Sequence, residues 1–270
     1  MINILQTEWL KIKSYRAFWW IMGITALSYP GINYIFYSLY KNVLRNENGL
    51  GEMAKLIGNP FSFPEVWHTV AYFSSWFIFI PAVVAIMFIT NEYSFRTHRQ
   101  NVIDGWSRNE FLVSKLLDIV IISLVITVLY FIVSLIMGFA NSADGSGNIF
   151  RLFYYTGLFA LQTFAQLSVA FFVGFLVKKA FIALGVFLFY YIILEPILVN
   201  VAKVKANDIG RFLPLEISDR LIPVPAFLGK IDRKAYDASL QAIGPHIFYT
   251  VIITALIWLF CFRIINRRDL

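Results

Sequence analysis

IVIISLVITVLYFIVSLIMGFA, residues 119–140, is a run of 22 residues without a charge. At a rise of about 1.5 Å per residue, such a run in helical form is as long as the hydrocarbon core of a bilayer is thick. A continuous apolar run also fixes the kind of element, because a transmembrane barrel strand shows short alternating segments, whereas a helix satisfies its own backbone polar groups.

Five further runs lie on either side: Ala17–Tyr40, Val70–Thr90, Leu152–Val177, Ala180–Ala202 and Ala242–Phe262. Glu195 is the one charge in any of them. The 270-residue chain is 59% hydrophobic and only 14% charged, which places it in a bilayer rather than among soluble domains. The expectation is an all-α membrane protein, one transmembrane domain over residues 1–270 with six helices spanning about 17–40, 70–90, 119–140, 152–177, 180–202 and 242–262. No internal repeat and no soluble domain is visible. The run after Arg16 is too long for a cleavable signal and no small-residue cleavage site follows it, so the first span is expected to stay. Cys261 is the single cysteine, which excludes an intrachain disulfide.

Orientation follows from lysine and arginine near the ends of spans. The total is nearly even between the two sides, so the short connections decide. Lys178-Lys179 joins two spans on one side, and NSADGSGN, residues 141–148, joins two on the other with one acid and no base. This gives cytoplasmic N- and C-termini. The +7 net charge is assigned to the cytoplasmic excess of bases and to anionic lipid, not to nucleic acid.

At the N-terminus, Ile2, Leu5, Trp9 and Ile12 recur at helical spacing among Lys11, Lys13 and Arg16, the pattern of an amphipathic helix lying along the inner surface. The longest connection, residues 203–241, holds Pro214, Pro223 and Pro225 and mixes apolar clusters with charges. It reads as a broken outer amphipathic segment whose bases are offset by acids including Asp208, Glu216 and Asp219.

The connection between the second and third spans is NEYSFRTHRQNVIDGWSRNEF, residues 91–111. Phe95, Val102, Ile103 and Trp106 fall on one face of a short helix that leaves Arg96, Arg99, Gln100 and Asp104 elsewhere. Gly105 marks its end, because glycine accepts the left-handed conformation that closes a helix. Ser107 and Glu110 then have the spacing of a capping box that starts the next helix at Arg108.

This layout resembles the permeases of the type-2 exporter family of ATP-binding-cassette transporters. There the same loop carries an acid, a small residue followed by threonine, and a downstream Ser-Arg and Lys. Here Glu92, Thr97, Ser107-Arg108 and Lys115 follow in that order, with Arg96 standing where the family commonly has glycine. The N-terminal amphipathic helix, the six spans and the broken outer segment extend the likeness.

The resemblance implies that Glu92, Phe95, Arg96, Thr97, Arg99, Val102, Asp104, Trp106, Ser107 and Arg108 form a coupling helix and its corners. It also implies a separate ATPase that binds ATP and Mg, a second permease copy, identical or a sister chain, and a bacterial inner membrane. The sequence has no Gly-x-x-x-x-Gly-Lys-Ser/Thr phosphate loop, so hydrolysis is expected on the partner and no cofactor on this chain. The residues alone leave a second reading of the elbow open, in which Arg96 and Arg99 rest on lipid headgroups.

Three residues inside spans are pathway candidates. Glu195, followed by the helix-breaking Pro196, is costly in a bilayer unless paired, protonated or facing a wet cavity. Gln162 and Gln166 either bond between helices or line a path. An intramembrane enzyme is a poor reading, because His68, His98 and His246 lack metal-ligand spacing and no metal site is expected. A channel subunit or scaffold working without ATP remains the alternative to an exporter of a peptide, lipid or drug.

Overall fold

The computed structural model describes residues 2–45, 58–97, 100, 103, 105–142, 148–205, 208–229 and 232–267, with the side chains of residues 2–7 left aside. The described residues hold helices and no strand. The helix α1 covers Ile2–Ser14 and α2 Arg16–Arg45. The pair α3, Val66–Ser75, and α4, Phe79–Ser94, comes next. After the elbow follow α5, Arg108–Asn141, and α6, Tyr154–Val177. Then α7, Ala180–Phe189, passes through a π-helical turn, Tyr190–Leu194, into α8, Glu195–Lys205. Two short helices, α9 at Pro214–Asp219 and α10 at Ala226–Gly229, precede the 35-residue α11, Arg233–Arg267.

Four of these stretches are long and apolar enough to cross a bilayer: α5, α6, the run from α7 through α8, and α11. A fifth is the pair α3 and α4 taken as one span bent by 53°. The bend has a local cause. Pro81 has no N–H to return to Phe77 and its ring excludes a helical carbonyl there, so the chain turns through Trp76–Ile78 in tight steps, with Phe77 N donating to Ser74 O and Ile78 N to Ser75 O. The second span therefore starts at Val66, earlier than the expected Val70. The helix α2 has the length of a span and no charge from Ala17 to Tyr40, but its Trp, Tyr, Ser and Asn residues make it less apolar than the others.

Two expected boundaries move for a similar reason, since helices run until something stops them. Residues 233–241, expected in the outer segment, are helical and continuous with the last span, and Pro245 stands inside that helix. Residues 203–205, also expected in the outer segment, continue the helical run that begins at Ala180; within it Pro196 widens the preceding turn, where Glu195 N donates to Tyr190 O, five residues back.

The centre of the bundle is α6, which packs against α3, α4, α5, α7, α9 and α11. About 61% of its most apolar window is buried, against 17% for α7–α8 and 28% for α11, so the latter two present apolar surface outward. Close approach of α6 to α4 depends on Gly174, where an added Cβ would lie 2.8 Å from Ile89 Cγ2 and 3.3 Å from the Ile86 backbone. Trp258 Nε1 donates to Ser168 Oγ at 3.0 Å, tying α11 to the same helix.

Gly174→Leu is expected to lower stability by about 1–3 kcal/mol through overpacking. Gly185→Leu, at an exposed position with open space around it, is expected to leave it unchanged; thermal unfolding of the purified protein in detergent measures both.

Candidate functional site

At the end of the bundle that carries α1, five charged side chains meet. Lys115, one turn into the apolar part of α5, is only 2% exposed, and no lysine is held there without partners. Its Nζ lies 2.5 Å from Glu8 Oε2, 2.8 Å from Glu92 Oε1 and 3.5 Å from Asp118 Oδ2. Lys11 reaches the same two glutamates, at 3.2 Å from Glu8 Oε1 and 3.0 Å from Glu92 Oε1. The hydroxyl of Thr97 donates to Glu92 Oε2. Glu92 thus binds the end of α4, the first turn of the elbow, α1 and α5 at one point.

Three residues from the expected motif, Glu92, Thr97 and Lys115, come together here. Glu8 and Asp118 complete the knot, and sequence reasoning missed both. Glu8 had a weak signal, a Glu-Lys spacing of three on a helix, and its side chain is 3% exposed whereas Trp9, expected on the face that lies along the membrane surface, is 53% exposed. The helix is rotated so that its acid, not its tryptophan, faces α5. Trp9 packs edge-on against Trp19, whose Nε1 donates to Lys13 O at 3.2 Å, closing the corner between α1 and α2.

The elbow's second corner has the expected chemistry, whereas its first turns at Arg96, a residue expected within the helix. Arg96 has φ 56° and Gly105 φ 94°, both left-handed. A glycine at position 96 would take that conformation without strain, whereas an arginine pays about 1 kcal/mol for it. Ser107 accepts from Glu110 N, and Glu110 Oε2 accepts from Ser107 N at 2.8 Å, so the capping box forms. Arg108 donates to Ile265 O and Asn266 O at 3.4 and 3.5 Å, anchoring the start of α5 on the end of α11, where a cation also suits the helix dipole.

Between the corners, Thr97, Gln100 and Ile103 are helical. Phe95 and Ile103 are 71% and 77% exposed, while Trp106 is half-buried. Arg99, Val102 and Asp104 lie outside the described residues.

At the opposite end, Glu195 is 3% exposed and caps α9: its Oε1 accepts from Leu215 N at 2.9 Å and Glu216 N at 2.7 Å. Gln162 and Gln166 both donate through Nε2 to Asp219 Oδ1, at 2.8 and 2.6 Å. The segment expected at the outer surface therefore folds back against the middle of the bundle. Asp219 is not a solvated counter-charge; the surrounding protein raises its carboxyl above the ordinary carboxylate range by desolvation, even though it opens on a cavity. Beside it, Arg220 forks onto Asp208 at 2.7 and 2.9 Å and donates to Glu216 at 2.6 Å, and the Arg220 hydrogen bonds hold the Asp208 carboxyl below its usual range. Among the described residues no group of His, Cys, Asp and Glu is arranged to hold a metal.

A helical bundle of this hydropathy, whose buried charges are met by opposite charges at one end and by backbone N–H and amide groups at the other, is a multi-pass membrane protein. Residues 4–194 match the family model described as ABC-2 family transporter protein, and the chain belongs to that family. No curated protein matches it. Membership makes the chain the membrane component of an ABC transporter, not itself the ATPase, and implies an ATPase partner.

Lys115→Met is expected to destabilise the protein by about 3–5 kcal/mol, because Glu8 and Glu92 lose the buried cation they share. Adding Glu8→Gln to it recovers part of that loss. Arg96→Gly is expected to raise stability by about 1 kcal/mol and Arg96→Val to lower it; melting temperatures of the four variants in one detergent decide both.

Proposed function

We propose that the chain is the permease subunit of an ATP-driven exporter, in which residues 95–106 form a cytoplasmic coupling helix seated on the partner ATPase. The observation that carries this reading is an elbow held rigidly at both corners that leaves Phe95 and Ile103 exposed at its surface. Exposed apolar side chains on a short, charged segment suit a protein partner better than lipid headgroups, which arginines alone would satisfy.

ATP-driven closure of the ATPase would push on this segment, and its fixed corners would pass the motion on. One path runs through Glu92 and Thr97 into α4, the other through Ser107 and Glu110 into α5. The buried Lys115 would bring α1 along, since Glu8 and Glu92 share its ammonium.

The remaining layout follows in the same reading. The helix α2 is the sixth span, both termini are cytoplasmic, and two permease chains, identical or sister, enclose the pathway in a bacterial inner membrane. ATP and Mg are bound by the partner. Glu195, Gln162 and Gln166 lie near the outer end of that pathway, and the cargo is a hydrophobic or amphipathic peptide, lipid or drug moved outward or drawn from the membrane.

Purification of the tagged full-length chain from its own cells tests the coupling. An ATPase is expected to co-purify with the wild type and to be lost with Ile103→Asp or Arg99→Ala, while the melting temperature of Ile103→Asp stays within about 1 °C because Ile103 is 77% exposed. An ATPase retained by both variants overturns the coupling role of the elbow, and no ATPase at all favours the scaffold or channel.

A further inference from the structure

Beside Glu195 a half-open cavity of about 470 Å³ lies between α8, α9 and the bend of the second span. That volume lies within the range that holds one small ligand or one end of a larger amphiphile. Its wall includes Trp76, Tyr191, Val199 and Leu215, and its charged lining is Glu195, Glu216 and Asp219, with no base among the lining residues.

Acids in a row do not make a site, and here the hydrogen bonding decides. Glu195 spends one oxygen on α9, and its buried Oε2 has no partner of good hydrogen-bond geometry among the described residues, with the Tyr190 hydroxyl beside the carboxyl. Asp219 gathers both glutamine amides on Oδ1 and opens on the cavity. The Oε1 atoms of Gln162 and Gln166 are likewise buried acceptors without donors. Arg220 is committed to Asp208 and Glu216 and does not line the cavity. The cavity's charged lining is wholly acidic and Glu195 Oε2 is a buried acceptor left over, so what fits is a group that brings N–H bonds and positive charge.

We propose that this cavity receives the cationic head of an amphipathic molecule, a primary ammonium or a guanidinium, which donates to Glu195 Oε2 and to Asp219 while its apolar part lies along Val199 and Leu215. Trp76, 46% exposed, and Tyr191 offer ring faces that attract such a head. An anionic amphiphile of the same shape would meet only like charge from Glu195, Glu216 and Asp219, and a neutral one would leave that charge uncompensated. The assignment of this ligand as cargo rests on the exporter reading; the binding itself does not.

The test uses the full-length chain in lipid nanodiscs and dansylcadaverine, a fluorescent primary alkylamine, with empty nanodiscs subtracted and the N-acetylated, uncharged derivative as control. Saturable binding is expected for the amine and not for the acetylated compound. Glu195→Gln and Asp219→Asn are expected to weaken it at least about tenfold, as loss of a charge-assisted hydrogen bond does. Because both residues also hold α9 in place, Asn200→Lys gives a second route: Asn200 is an exposed residue of the cavity wall, and a cation there is expected to abolish binding with the melting temperature unchanged.

Equal binding of the acetylated compound, or wild-type affinity in Asn200→Lys, overturns the proposal. The ATPase readout separates it from the exporter reading. Binding with no ATPase partner removes the cargo role and leaves the site, whereas a coupled ATPase with no binding removes this site alone.

Discussion

One ammonium group sets the geometry of the whole α1 end. Lys115 cannot enter the apolar part of α5 unless its charge is met, and the two nearest of the three carboxylates that meet it, Glu8 and Glu92, come from residues 107 and 23 positions away. Because each glutamate is also shared with Lys11, no single contact can be moved without exposing a buried charge. Buried ion pairs of this kind add little net stability over an apolar core, but removing one partner is costly. Their effect is to fix how α1, the end of α4, the elbow and α5 stand relative to one another.

The opposite end uses the same physics with different partners. Pro196 cannot continue the backbone ladder, so the helix widens into a π-helical turn, and the carboxylate just before it is turned onto the two free N–H groups that start α9. Gln162 and Gln166 then hold Asp219, drawing a connection that looks like a surface loop against the central helix. The result is a polar cluster with surplus acceptors beside an aromatic-walled cavity, in a fold whose family moves molecules across membranes.

Local rules made much of this legible. Helical spans follow from apolar runs because a bilayer leaves the backbone no other partner. The second corner of the elbow follows from Gly105 and from the Ser107–Glu110 spacing, since caps are bonds between residues three apart. The strained Arg96 was marked by its departure from the family's glycine. Where helices end was less legible: residues 233–241 carry charges typical of a loop, yet nothing in them stops a helix.

By itself, then, the sequence determined that the chain is a helical membrane protein, where its apolar runs lie, and that a capped, charged elbow joins two of them. Those properties depend on composition and on contacts a few residues apart. Only the tertiary structure decided that Glu8 faces inward and Trp9 outward, that Asp118 joins Lys115's acids, and that Asp219 leaves the loop for the bundle. Glu8 and Lys115 are 107 positions apart, and Asp219 and Gln162 are 57 apart. Which acid meets which base at such distances is set by how whole helices pack and rotate, and no spacing along the chain encodes it.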